Sequence, residues 1–182
     1  MSPSHPVRLI TADEIRTARL DLVPLRVEHA TEMAVVLGDP ALHGFIGGSP
    51  DDAEALRNRY GRMVAGSPEP GVCWCNWVVR SREGSRSDAP ACLVGTVQAT
   101  VVPGTRGPLA EIAWVIGTPW QGRGFASEAA RGLVAWLAGQ GVRTLVAHVH
   151  PDHGASAAVA AAAGLAATEK VHDGETRWEA SL

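Results

Sequence analysis

The chain reads as an α/β protein of one domain, and three observations point there. Its 182 residues suit a single core. Runs of alternating apolar and polar residues interleave with runs of helical period in one order: strand, two helices, three strands, helix, strand, helix, two strands. The strand-like run Glu111-Ile112-Ala113-Trp114-Val115-Ile116 then passes through a glycine turn directly into an amphipathic helix.

Each element has a local reason. Residues 1–16 lack sustained periodicity and are expected to be a flexible lead-in, with the folded domain over 17–182. Leu20–Val27 alternates as a half-buried strand does. Glu28–Leu37 places Ala30, Met33, Ala34 and Leu37 on one helix face. Gly38–Pro50 is punctuated by Gly and Pro and is expected to be a loop. A second helix, Asp51 to Ala65, aligns Leu56, Tyr60 and Met63, and Gly66–Gly71 breaks it. Val72–Arg80 and Cys92–Val102 are neighbouring strands, with a mobile hairpin tip expected over Ser81–Pro90. After Leu109–Ile116, the helix from Ser127 to Gly139 carries the stripe Ala126, Ala130, Leu133, Val134 and Leu137. Thr144–His150 is a strand, and Gly154–Ala163 is an Ala-rich helix capped by Gly164. Ala167–Val171 and Thr176–Ala180 form a hairpin about His172-Asp173-Gly174, since Asp-Gly favours tight turns.

Composition narrows the function. A net charge of −3 gives no broad basic face for nucleic acid. No apolar run reaches membrane-spanning length, and Met1–Pro6 lacks the apolar segment of a signal peptide, so a cytoplasmic protein is expected. Cys73 and Cys75 lie two apart on one strand face, poor geometry for a mutual disulfide. With Cys92 they are too few for a full zinc site, and buried reduced thiols are expected.

The chemistry centres on Gln121-Gly122-Arg123-Gly124-Phe125-Ala126. Two glycines at the mouth of a helix let backbone N–H groups converge, the helix dipole adds partial positive charge, and Arg123 adds a full one. The result is a seat for a phosphate or pyrophosphate. The bland alternative is a tight turn and nothing more.

Gln121-x-x-Gly124-x-Ala126 resembles the pyrophosphate loop of the GNAT superfamily of acetyl-CoA-dependent N-acetyltransferases. The flanks match too: Glu111–Ile116 resembles the family's fourth strand, Pro119-Trp120 its exit, and Ser127-Glu128-Ala129 the start of its third helix. Thr17-Ala18-Arg19-Leu20-Asp21-Leu22, Pro24-Leu25, Asp39-Pro40 and Gly47-Gly48-Ser49-Pro50 resemble the branch that modifies ribosomal-protein N-termini, the RimJ/RimL type.

The resemblance covers residues 17–181 and implies a mixed, mostly antiparallel twisted sheet of about seven strands flanked by about four helices. It implies transfer of acetyl from acetyl-CoA to a primary amine, either a protein N-terminus or a small molecule, with no metal and with a possible homodimer. It assigns the backbone of Trp114, Val115 and Ile116 to the pantetheine arm and Gln121, Gly122, Arg123, Gly124, Phe125, Ala126 and Ser127 to the pyrophosphate. It places the acceptor among the 38–50 loop, the second helix and the last hairpin, near Asp39, His43, Trp74 and Trp178.

The general base is sought first at Glu111. It shares a strand face with Ala113 and Val115, so desolvation in an apolar row is expected to raise its pKa. A structural glutamate near a strand end is the competing reading. Many relatives carry a tyrosine acid after the fifth strand, whereas the only tyrosine here is Tyr60. Ser156 stands where the branch has the serine of Asn-x-x-Ser and is the candidate to protonate the thiolate or bond its sulfur; a helix-start serine satisfying backbone N–H groups is the alternative. His153 replaces the asparagine of that motif and takes its place as the candidate cofactor contact.

A second class competes. His148-Val149-His150-Pro151-Asp152-His153 spells a zinc-hydrolase signature, and imidazole with carboxylate suits zinc. It lies too near the end: residues 154–182 hold a single further histidine, His172. A non-catalytic acyl-CoA-binding module is a third reading, keeping the glycine turn without needing Glu111.

Overall fold

The computed structural model describes residues 9–83 and 91–182. Among them the chain folds as a single α/β domain around an eight-stranded, mostly antiparallel open sheet with five α-helices. The strands are β1 (Ile15–Arg16), β2 (Leu20–Pro24), β3 (Cys73–Ser81), β4 (Cys92–Val102), β5 (Leu109–Ile116), β6 (Thr144–Val149), β7 (Ala166–His172) and β8 (Glu175–Ser181), in spatial order β1-β2-β3-β4-β5-β6-β8-β7. Only β5 and β6 run parallel. The helices are α1 (Ala30–Val36), α2 (His43–Ile46), α3 (Ala53–Ala65), α4 (Phe125–Gly139) and α5 (Gly154–Ala162).

The pleat makes two cores. On one face Cys75, Trp77, Val97, Ala110 and Ile112 pack against Phe125, Ala129, Leu133 and Leu137 of α4. On the other, Val78 and Leu93 pack against Met33 and Val36 of α1 and Leu56 and Tyr60 of α3. Successive side chains of a strand point to opposite faces, so one run of alternating residues feeds both. Asp52 caps α3, its side chain accepting from Ala55 N at 2.8 Å. The expected Asp-Gly turn closes β7 and β8, with Asp173 at φ 49° and Gly174 at φ 81°. Cys73 and Cys75 are buried and free, and burial pushes the Cys75 thiol up to about 12.

Two expectations change, and a third falls largely outside the described residues. The lead-in over 1–16 is packed at its end: Ile15–Arg16 pairs with Leu22 and Asp21, and Ile10 and Ile15 are buried. The 38–50 loop contains the single helical turn α2, which stops at Gly47 with φ 79°. The hairpin tip over Ser81–Pro90 lies mostly outside the described residues; within it, Ser81 is fully buried at the end of β3.

Arg82 and Arg80 both bond the buried Asp21 carboxylate. Burial alone pushes Asp21 up, but the two guanidinium hydrogen bonds outweigh it and hold the carboxyl below its ordinary value. A depressed carboxyl contributes stability that is present above its unfolded pKa, about 3.9, and is lost as pH falls through the folded one. Urea melts of Asp21→Asn against wild type will therefore show a gap that is constant near neutrality and closes below about pH 4. A gap independent of pH contradicts this.

Gly95 matters for the site. An extra residue in β4 shifts the β3 register between Val79 and Arg80, and Gly95 faces Ile116 across the ladder. A Cβ at Gly95 would lie 2.1 Å from the Val115 carbonyl oxygen. The backbone of β5 thus crosses β4 at a distance only glycine allows. Gly95→Ala is expected to cost about 3 kcal/mol, the upper range for overpacking. A urea melt measures it, and an unchanged midpoint refutes the close crossing.

Candidate active site

β5 and β6 begin side by side and then part. Their pairing covers Leu109↔Thr144, Ala110↔Leu145 and Glu111↔Val146 only, although β5 runs on to Ile116 and β6 to Val149. Past Glu111 the β6-facing backbone edge of β5 has no strand partner. A cleft of about 600 Å³ opens there. Its walls include Trp114, Val115 and Ile116, the loop and helix start formed by Gln121, Gly122, Gly124, Phe125, Ala126 and Ser127, and His153 and Ser156 of the α5 end.

The glycine turn has the geometry its sequence suggests. Gly122 has φ 74° and Gly124 φ 77°, the left-handed region that glycine enters without strain. A Cβ at Gly122 would meet no atom within 4 Å, so the turn is open above the start of α4. Gly124 is the N-cap of that helix and makes no side-chain cap, which leaves backbone N–H groups for another acceptor. Gln121 Nε2 donates to Ile116 O at 2.9 Å and ties the turn to the end of β5.

The loop is anchored from behind by residues the sequence reading did not single out as functional. Glu128 on α4 accepts from Thr17 Oγ1 at 2.6 Å, Arg19 N at 2.7 Å and Arg19 Nε at 2.7 Å. Arg19 Nη1 then donates to Arg123 O at 3.0 Å, inside the glycine turn. Burial pushes Glu128 up, but the bonds from Thr17 and Arg19 outweigh it and hold the carboxyl below its ordinary value. Of the residues expected to bind the cofactor or act in catalysis, Arg123 alone does not line the cleft. Its guanidinium lies 4.6 Å from the Phe125 ring centroid, with Arg19 stacked at 4.8 Å.

Glu111 lines the cleft near its base, but the buried apolar setting expected of it is absent, since its side chain is 54% exposed. β5 meets solvent there on that face. Its Oε1 lies instead 2.9 Å from Nδ1 of His148, which is 13% exposed. No local pattern marks this pair, because it depends on the Glu111↔Val146 register.

The zinc-signature residues do not converge. β6 ends at Val149, so His150 does not continue the strand face of His148 as expected. His148 pairs with Glu111, His150 Nδ1 accepts from Asp152 N, and His153 stacks on Phe45 with centroids 4.1 Å apart. Among the described residues no group of three or more His, Cys, Asp or Glu is arranged to hold a metal. Partial burial, then the charge of His150, lower the His153 pKa, which favours a neutral ring at the cleft wall.

On the other face of β5 lies a smaller cavity of about 250 Å³, bounded by α3, α2 and the sheet. His43 lines it, as expected of an acceptor-side residue. Asp39 instead caps the turn at residues 40–42, accepting from Ala41 N. Trp74 and Trp178 line neither cavity, and the last hairpin reaches the larger cleft through Glu175.

A family model described as an acetyltransferase (GNAT) domain matches residues 19–166. No curated protein matches the sequence. Solved structures share the fold at low identity. A GNAT-family acetyltransferase from Bacillus anthracis superposes with TM-score 0.71 at 18% identity, over 93% of this chain and 98% of that one. RimL, a ribosomal L7/L12 alpha-N-protein acetyltransferase in complex with coenzyme A, gives 0.75 at 16%, over 93% and 98%. The microcin C7 self-immunity acetyltransferase MccE, in complex with acetyl-CoA and AMP, gives 0.70 at 12%, over 91% and 93%. Among the described residues no helix is long and apolar enough to cross a membrane.

Proposed function

We propose, since the chain belongs to the GNAT acetyltransferase family, that it transfers acetyl from acetyl-CoA to a primary amine by direct attack on the thioester. The observation that carries this reading is the parting of β5 from β6 beside the open glycine turn at the start of α4. A pantetheine arm pairs with the free edge at Trp114–Ile116 as an added strand. The pyrophosphate sits on the backbone N–H groups of Gln121–Ser127, favoured by the helix dipole. His153, neutral and stacked on Phe45, offers a polar contact at the cleft wall.

The acceptor arrives as an ammonium and must lose a proton before its lone pair can attack. Glu111 takes that proton through water, and the 2.9 Å contact with His148 fixes the carboxylate's direction. Attack forms the C–N bond and places negative charge on the former carbonyl oxygen. A backbone N–H of the β5 edge is the available donor for it. Collapse breaks the C–S bond; the nitrogen, which still carries one proton more than an amide, gives it up as the thiolate takes one, and Ser156 hydrogen-bonds the leaving sulfur or relays that proton to it. The likeness to RimL, named for a ribosomal-protein N-terminus, makes a protein N-terminus one acceptor class; small amines are the other.

The test is to mix protein, acetyl-CoA and a panel of primary amines, following free-thiol release and a mass gain of one acetyl group on the amine. Amine-dependent release is expected. Acetyl-CoA left intact with every amine, by protein shown to be folded, overturns the reading.

A further inference from the structure

We propose that the acceptor is a compact primary monoamine, with an apolar body and one hydrogen-bonding group, held in the 250 Å³ cavity beneath α3. This rests on the acetyl-transfer reading above.

Position comes first. The cavity and the cofactor cleft share Ile46 and Val115, so the two spaces meet at β5. Asn76 pairs with Gln98, and Thr96 with Val115, across adjacent strands. Alternate residues of a strand share a face, so these four side chains make one floor leading to the junction. An amine at Val115 stands at the end of the pantetheine path while its body lies under α3.

Size and polarity narrow the body. At about 30 Å³ of liquid volume per water, the cavity holds about eight waters, the bulk of one small ring with a short arm. Leu25, Leu37, Leu56 and Met63 supply apolar wall. Asp51 is its one carboxylate, and Arg59 already holds it at 2.8 Å. A second cation on the ligand therefore finds no unpaired anion there and loses hydration against leucines. An anionic body must instead compete with Asp51 for Arg59. Both considerations select against polyamines, aminoglycosides and phosphorylated amines.

One wall residue asks for a polar partner. Tyr60 is 3% exposed, and its hydroxyl is buried without a hydrogen-bond partner. Buried hydroxyls are normally paired. Burial also pushes its pKa up to about 12, so the group is a neutral donor and acceptor. The hydroxyl has no open surface onto the cavity, so a ligand hydroxyl or carbonyl completes it by shifting the Tyr60 ring toward the cavity. A peptide N-terminus fits less well, because extended peptides bind through backbone pairing. The cavity floor is a sheet face, and the one free strand edge beside it is the pantetheine seat.

The experiment compares kcat/KM for tyramine, phenethylamine, spermidine, kanamycin and a Ser-initiated peptide, with acetyl-CoA as donor. Tyramine is expected to exceed spermidine, kanamycin and the peptide by about tenfold or more, and to exceed phenethylamine. Tyr60→Phe is expected to lower the tyramine-to-phenethylamine ratio about tenfold without lowering the melting temperature. Preference for spermidine, kanamycin or the peptide, an unchanged ratio in Tyr60→Phe, or acetyl-CoA binding with neither monoamine acetylated each overturns this inference and leaves acetyl transfer standing. Absence of any acetyl-CoA-induced melting shift in wild type brings down the acetyl-transfer reading itself, and this inference with it.

Discussion

Glu111→Gln lowers kcat by about 10²- to 10⁴-fold, the usual contribution of a positioned general base. Glutamine keeps the shape and can still meet His148, but it takes no proton from an ammonium. Acetyl-CoA affinity is expected to stay near wild type, because the proposed pyrophosphate seat, at Gly122 and Gly124, lies at the other end of the cleft. The loss is expected to shrink as pH rises toward the pKa of the amine, where the acceptor arrives already neutral. Steady-state kinetics across pH, with a calorimetric titration of acetyl-CoA, measure both. A fall of less than about tenfold at neutral pH assigns Glu111 to the structural role its exposure also allows. A wild-type protein that binds acetyl-CoA and turns over no amine would make the chain a binding module.

Glu128→Ala destabilises the fold by about 3 kcal/mol, the upper end for losing a hydrogen bond to a charged group and no more than that because the pair is only partly buried, with Arg19 34% exposed. One carboxylate meets three donors from Thr17 and Arg19, which stand 109 to 111 residues away. Its removal leaves the Arg19 backbone N–H and guanidinium without their acceptor. For a domain of this size the melting temperature falls by roughly 6–12 °C. The same change is expected to loosen the proposed cofactor seat, since Arg19 is also the donor to Arg123 O within the glycine turn. Acetyl-CoA affinity should therefore fall along with stability. Asp152→Ala is the control: its side chain is 85% exposed, so a change within about 0.5 kcal/mol is expected. Equal effects of the two substitutions would refute the anchoring role.

What could be read before the structure was local. β4 and β5 appear at the expected Cys92–Val102 and Leu109–Ile116, because both runs are rich in apolar and β-branched residues and Gly or Pro closes each. The glycine turn announced itself through two glycines at fixed places before a helix. α4 begins at Phe125 rather than Ser127 because Gly124 in the left-handed region is its N-cap, with no Ser, Thr or Asp signal. β1 is two residues long and exists through pairing with β2, so no periodicity could reveal it. α2 is a single turn within a glycine-rich stretch.

The site divides in the same way. The glycine turn is contiguous in sequence and was legible, with Gly122 and Gly124 both in the left-handed region before α4. The Glu111–His148 pair spans 37 residues and rests on the β5–β6 register, and the Arg19–Glu128 pair spans 109. His148 had looked like a metal ligand because spacing shows which residues are near in sequence and not which carboxylate a neighbouring strand supplies.

The cleft between β5 and β6 is proposed as a ready-made acetyl-CoA site. Its most direct test is a calorimetric titration of the metal-stripped protein with acetyl-CoA. Saturable one-to-one binding is expected, with a melting point that rises by several degrees at about 100 times the dissociation constant, where linkage adds about 2.7 kcal/mol. A folded protein that gives neither binding heat nor a melting shift at millimolar acetyl-CoA would contradict it.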